Sequence, residues 1–319
     1  MTELKITEIE SWLKEYDRRD NMHSPKAVND PKFIELKEKL RSGAIKLGES
    51  MHCVVGIDIL GYSQYEFYQQ AYIPVLFDLL LAEGLKHARG SEYLTFNKYT
   101  EQDLKDRFIP TGDGGFLVLK TPLEGLLFSL NFSAILHLYN AHSFYPGLRS
   151  SLGPVRVRYC LTYNQVYKYK TNYFGPAIIT NSRIMSRDKL DRCLVDENII
   201  AWFLEKFNGI ESLRVLNIRD LAKKLQIDPF LTIPEGEKFF MSTIITDNLE
   251  ADYVPRILNL STQKIGILKA KQQSVDVYNL YIQLTKAYFD EQNPEIIDNY
   301  VINFGNLNTS GLNDDRNGT

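Results

Sequence analysis

Residues 54–63 read VVGIDILGYS and residues 109–118 read IPTGDGGFLV. The first is a buried strand: Val54, Val55 and Ile57 are apolar and β-branched, a type that packs well on a pleated surface. Asp58 sits where that strand gives way to a turn, and Gly61, Tyr62 and Ser63 follow it. A carboxylate at a strand end is costly to bury unless it is paired or bound to metal. The second stretch is a hairpin, because Asp113-Gly114 supplies the positive-φ positions of a tight turn. It places a second carboxylate, Asp113, at the tip of two strands. Should the two stretches be neighbours, Asp58 and Asp113 converge. Paired carboxylates repel unless a cation lies between them, and hard oxygen ligands suit Mg²⁺ or Mn²⁺. Such a pair is suited to holding a nucleoside triphosphate.

Working outward, the 319 residues are 44% hydrophobic and 12% aromatic, ample for a globular core. A net charge of −3 offers no bulk basic character for nucleic acid. Three scattered cysteines, Cys53, Cys160 and Cys193, show neither a CxxC pair nor a disulfide framework, which favours a reducing cytosol. The histidines have no metal spacing. With no charged n-region followed by an apolar h-region at the start, no signal peptide is expected, and the apolar-rich spans 73–85 and 123–138 carry too many polar residues for membrane spans. The expectation is a soluble cytoplasmic protein with no nucleic-acid or membrane partner.

Residues 2–16 and 31–47 show helical periodicity around a polar loop. Residues 64–88 read as one or two helices, with Pro74 starting the second, and 90–102 as a loop. Residues 104–109 and 116–120 are the hairpin strands, and 122–141 a further helix. Residues 155–163 and 165–169 form another strand pair, in which Arg156 and Arg158 alternate with Val155, Val157 and Tyr159, so that one face is solvated or meets a ligand. A helix opens at 175–185 with Pro176 in its first turn. Residues 213–218 and 238–245 read as strands, 274–289 as a helix, and 303–319 as disordered. The mixture implies an α+β sandwich, a mostly antiparallel sheet covered by helices. The expected division is an N-terminal helical extension over 1–48, a catalytic domain over 49–250, and a C-terminal helical extension with a disordered tail over 251–319.

Asp58-Ile59-x-Gly61-Tyr62-Ser63 resembles the D-I-x-G-[FY]-[ST] motif of the class III nucleotide cyclases, and Thr111-Gly112-Asp113-Gly114 resembles their x-G-D-[GAS] hairpin. Asn172-Tyr173-Phe174-Gly175, running on to Ser182-Arg183-Ile184, resembles their helix start. The three fall in family order between residues 50 and 190. The resemblance implies that Asp58, Asp113 and the carbonyl of Ile59 hold two Mn²⁺ or Mg²⁺ ions. It implies that Gly61, Tyr62 and Ser63 bind phosphate, that Arg183 stabilises charge on the α-phosphate, and that a homodimer shares its sites, Arg183 coming from the other subunit.

Departures from the family pattern are as informative. The base-reading position before the hairpin Asp is Ile109, which cannot hydrogen-bond. Its partner position is Asn172, an amide able to donate and accept. The ribose-orienting Asn is replaced by Ile179. A purine reader would not leave such positions apolar. The pattern resembles the pyrimidine cyclases of the Pycsar anti-phage systems, which implies conversion of UTP or CTP to a cyclic monophosphate read by a downstream effector. An adenylate cyclase, a degenerate nucleotide-binding dimer and a palm-type cyclase or polymerase relative stand as alternatives. Arg219 and Lys206 are candidates for a second phosphate-binding cation, though such residues are more often surface charges.

Overall fold

In the computed structural model, residues 50–141, 144–227, 242–244, 256–269, 274–289 and 297–312 are described, together with isolated positions between 11 and 38. The expected helices at 2–16 and 31–47 fall mostly outside the described residues.

The chain runs β1 (Met51–Ile59), α1 (Phe67–Ser91), β2 (Phe108–Pro110), β3 (Gly114–Leu119), α2 (Pro122–Asn140), β4 (Val157–Gln165), β5 (Tyr167–Tyr169), β6 (Asn172–Phe174), α3 (Pro176–Arg187), β7 (Cys193–Asp196), α4 (Glu197–Phe207), β8 (Arg256–Lys269), β9 (Ser274–Phe289) and β10 (Ile297–Phe304). An α+β fold results, with one large sheet ordered β10-β9-β7-β4-β1-β3-β2 and β8 pairing β9 besides. All pairings in it are antiparallel except β4 with β7. Strands β5 and β6 form a separate hairpin.

Alternation along the central strand β1 sorts its side chains between two layers. Cys53, Val55, Ile57 and Ile59 join the main core with α1 and α2. Val54 packs instead with Ala177 of α3, and Gly56 lies under Asn181 of the same helix. Helix α2 is apolar on every side, and nearly every residue in it is buried. A helix of that kind belongs inside a core, and α2 lies between α1 and the sheet. No helix among the described residues is long and apolar enough to cross a membrane.

Several expectations are corrected. Of the one or two helices read over 64–88 the structure has one, α1, and Pro74 lies inside it rather than at a start. Pro74 has no N–H for the carbonyl of Gln70 one turn back, and the hydroxyl of Tyr62 donates to that oxygen at 3.0 Å. Residues 90–102 hold short helices at Tyr93–Phe96 and Glu101–Lys105 rather than a loop, which leaves only Phe108–Pro110 as the first hairpin strand. The expected strand at 213–218 is a 3-10 turn, Ile210–Arg214, followed by helix Ile218–Leu225, because Asn217 caps it by accepting from the Asp220 amide. Of the expected strand at 238–245 only 242–244 is described, and those residues are irregular.

The largest correction concerns the expected helical extension over 251–319. Its described residues as far as Phe304 are strands, and residues 274–289 form β9 instead of a helix. Val275, Tyr278 and Ile282 satisfy a helical spacing, yet Val277, Leu280 and Leu284 are buried. Val275 and Tyr278 are only half-buried, and it is the successive buried residues Asn279 to Ile282 that mark a strand covered on both faces. Residues 282–285 pair with β8 and β10 together, and residues 277–280 with β8 and β7 together. Strands β7 and β10 therefore follow one another along a single edge of β9. Residues 303–312, expected to be disordered, are tied to the body: Asn306 donates to the Asp191 carbonyl at 2.9 Å, and Arg192 donates to the carbonyls of Asn308 and Ser310 at 2.9 and 2.7 Å.

Candidate active site

Asp58 is the last residue of β1 to face α3, and it sits between two neighbours. In the β1–β3 ladder it lies opposite Gly114, and in the β1–β4 ladder opposite Arg158. The hairpin tip is drawn onto β1 by the Ile59 amide, which donates to the Asp113 carbonyl at 3.1 Å, and the turn is closed by the Thr111 amide donating to the Gly114 carbonyl at 2.9 Å. The expected positive φ at Asp113-Gly114 is found instead at Gly112, with φ 106°. Gly114 is required for a different reason. A Cβ there would stand 2.1 Å from the Ile57 carbonyl oxygen and 2.8 Å from the Asp58 Cα.

The carboxylates of Asp58 and Asp113 converge. Burial pushes Asp58 above the ordinary carboxylate range. Arg158 opposes that rise, and Asp113 adds to it both as a like charge and by bonding to the protonated form. Arg158 reaches Asp58 Oδ2 through Nε and Nη2, each at 2.6 Å, with both side chains largely buried. Its Nη1 donates to the Met185 carbonyl at 2.8 Å and to that of Asp188. These are carbonyls at the C-terminal end of α3, where a cation is favourable. Arg158 thus ties the last turn of α3 to the acid on β1, and its alternation with Val157 and Tyr159 was the signal for this.

At the end of β1, Gly61 adopts the left-handed region (φ 77°) and opens a 3-10 turn over Tyr62–Gln64. The turn's own bonds run from the Gln64 and Tyr65 amides to the Gly61 and Tyr62 carbonyls. Ile109 is half-buried against the cluster of Val54, Val118 and Tyr173. Asn172 is exposed on β6, and its Oδ1 accepts from the Tyr173 amide at 2.8 Å. Arg183 is exposed on the outer face of α3, and its guanidinium makes no hydrogen bond or ion pair among the described residues. The structure therefore gathers Asp58, Ile59 and Asp113 and leaves Arg183 pointing away from them. Ile179 is half-exposed. Lys206 pairs with its neighbour Glu205, and Arg219 is exposed on helix Ile218–Leu225; both fit surface charges.

Two converging carboxylates are hard oxygen donors of the kind a divalent cation takes. Among the described residues no cluster of three or more His, Cys, Asp or Glu exists to compete with them. The residues present thus fit a divalent ion at the Asp58–Asp113 pair.

The sequence reading overlooked Asn181. This side chain is fully buried, and Nδ2 donates to the carbonyls of Val54 and Cys160 at 2.9 and 2.8 Å, with Thr162 Oγ1 at 3.3 Å. Thr162 in turn donates to the Ala177 carbonyl of α3 at 2.9 Å. The signal was Gly56, a glycine inside an apolar strand, which marks a close approach. A Cβ on Gly56 would meet Asn181 Oδ1 at 2.1 Å.

No protein-family model matches the chain, and no curated protein matches it. Solved structures similar to it include an adenylate/guanylate cyclase/hydrolase from Silicibacter pomeroyi, at 11% identity over 72% of this chain and 95% of that one, TM-score 0.38. The guanylate cyclase domain from Catenaria anguillulae in complex with GTP is similar at 10% identity over 72% and 96%, TM-score 0.39. An adenylate cyclase from Trypanosoma brucei is similar at 13% over 73% and 90%, TM-score 0.34.

Proposed function

We propose that this chain is a nucleotide cyclase that converts a pyrimidine nucleoside triphosphate, UTP before CTP, to its 3′,5′-cyclic monophosphate and pyrophosphate. The observation that carries the reading is the convergence of Asp58 and Asp113 at the joined ends of β1 and the β2–β3 hairpin. Two divalent ions there, Mn²⁺ or Mg²⁺, would promote attack of the ribose 3′-oxygen on the α-phosphorus and neutralise the departing pyrophosphate. Asp58 and Asp113 hold the cations, with the Ile59 carbonyl beside them. Arg158 fixes the Asp58 carboxylate through its Oδ2 oxygen. The backbone at Gly61, Tyr62 and Ser63 faces the phosphates. Arg183 stabilises charge on the α-phosphate.

Arg183 turns outward from its own Asp58, which supports a homodimer in which each subunit completes the other's site. Apolar residues left on the surface support the same assembly: Phe67, Tyr68, Tyr72 and Val75 on α1, with Phe174 and Ile179 near α3. Ile109, packed among apolar side chains, supports a pyrimidine. Because Asn172 Oδ1 is occupied by the Tyr173 amide, Nδ2 is the group left for a base. A donor suits O4 of uracil better than the amino group of cytosine. By resemblance to the Pycsar cyclases, the cyclic product serves as a cytoplasmic messenger in anti-phage defence, read by an effector.

The test is incubation of the purified protein with ATP, GTP, CTP and UTP separately, each with Mn²⁺, and identification of products by mass. Cyclic UMP is the expected product. Cyclic AMP would keep the metal pair and overturn the roles of Ile109 and Asn172. Absence of product from all four would overturn the enzymatic reading.

A further inference from the structure

We propose that Asn181 is a positioning residue, bolting α3 to the sheet at the depth and roll that present Arg183. The inference rests on the reading of Arg183 given above. Asn181 and Arg183 are two residues apart on a helix, about 200° around its axis, so one faces the sheet when the other faces out. Their burial agrees, Asn181 fully enclosed and Arg183 exposed.

The other sheet-facing residues of α3 are Ala177, Ile184 and Met185. Their apolar contacts are non-directional and leave the helix free to slide or roll by small amounts. Hydrogen bonds are directional, and Asn181 makes its contacts to two different strands, at Val54 on β1 and at Cys160 and Thr162 on β4. Thr162 adds a bond to the Ala177 carbonyl one turn earlier. Together these fix the helix in three directions. The amide is received because Gly56 beneath it has no Cβ. Its Oδ1 has no partner, so packing around the amide is not arranged to satisfy every polar atom. The orientation kept is the one in which the donors meet the strand carbonyls.

The test uses mixed dimers of the full chain. Asn181→Ala is expected to lower kcat about a hundredfold, as small misplacements of positioned groups do, while KM for the triphosphate stays near the wild-type value. A loss of folded protein alone would scale kcat with the folded fraction, measured in parallel by active-site-independent calorimetry. Mixed with inactive Asp58→Ala chains, Asn181→Ala is expected to regain activity as Arg183→Ala does, because the site joining its Asp58 to the partner's intact Arg183 is whole. Thr162→Val, a milder change in the same network, carries the same test should Asn181→Ala not fold. Recovery in the Arg183→Ala mixture but not in the Asn181→Ala or Thr162→Val mixture overturns the positioning role alone. No recovery in the Arg183→Ala mixture, with heterodimers shown to form, overturns the shared-site reading and this inference with it.

Discussion

The hydroxyl of Tyr62 donates to the carbonyl of Gln70, the oxygen that Pro74 leaves without its helical amide. A tyrosine in the turn that follows β1 thus secures the first turns of α1. Replacing Tyr62 by Phe should cost about 1 kcal/mol, the net worth of one such bond, measured by chemical denaturation. In a Pro74→Ala background the same change should cost less, because the restored amide takes the Gln70 oxygen. Equal costs in both backgrounds would mean the two residues are not coupled.

Asp58→Asn and Asp113→Asn should each lower turnover by at least on the order of a hundredfold. Asp113→Asn should not lower the melting temperature, since it removes a like charge beside Asp58. Mn²⁺ binding followed by electron paramagnetic resonance separates loss of the ion from loss of the fold. Unchanged Mn²⁺ binding in both variants would place the ion elsewhere.

Gly114→Ala should be destabilising by roughly 3 kcal/mol or more, because the added Cβ meets main chain rather than a movable side chain. Gly112→Ala strains the turn without such a collision and should cost less. A thermal melt of the two variants side by side orders them.

Burial pushes Asp196 up to about 7, against bonds from the amides of Ile199 and Tyr163, which favour its charged form. A carboxyl raised on folding contributes stability that is complete below its unfolded value of about 4 and is lost as pH rises through about 7. Stability should therefore fall between those limits by up to about 1.4 kcal/mol per pH unit from this group. Asp196→Asn keeps an oxygen for the helix cap and should flatten the fall. A variant with the wild-type pH slope would assign the dependence to other groups.

The two converging carboxylates were legible because strand ends and glycine-rich tips announce themselves locally. Val54, Val55 and Ile57 lead to Asp58, and around Asp113 stand Gly112, needed for its positive φ, and Gly114 and Gly115, needed for a close approach. Less legible was β9, whose burial on both sides mimics a helical spacing. Helix Ile218–Leu225 was hidden by Val215 and Leu216 just before it, which suggest a strand until Asn217 is recognised as a cap. Asn181 was missed because its meaning lies across the sheet, in Gly56 and in carbonyls far away in sequence. Pro74 misled because the bond compensating it comes from a side chain outside the helix.

The Ile59 amide and the Asp113 carbonyl hold the hairpin tip to β1 without using any side chain. The spacing of the two acids is therefore indifferent to which apolar residues fill the layers on either side. Core positions such as Val55, Leu117 and Leu161 can drift in sequence while the acids stay in register. The pairing of the two acids is thereby separated from the choice of apolar side chain at those positions.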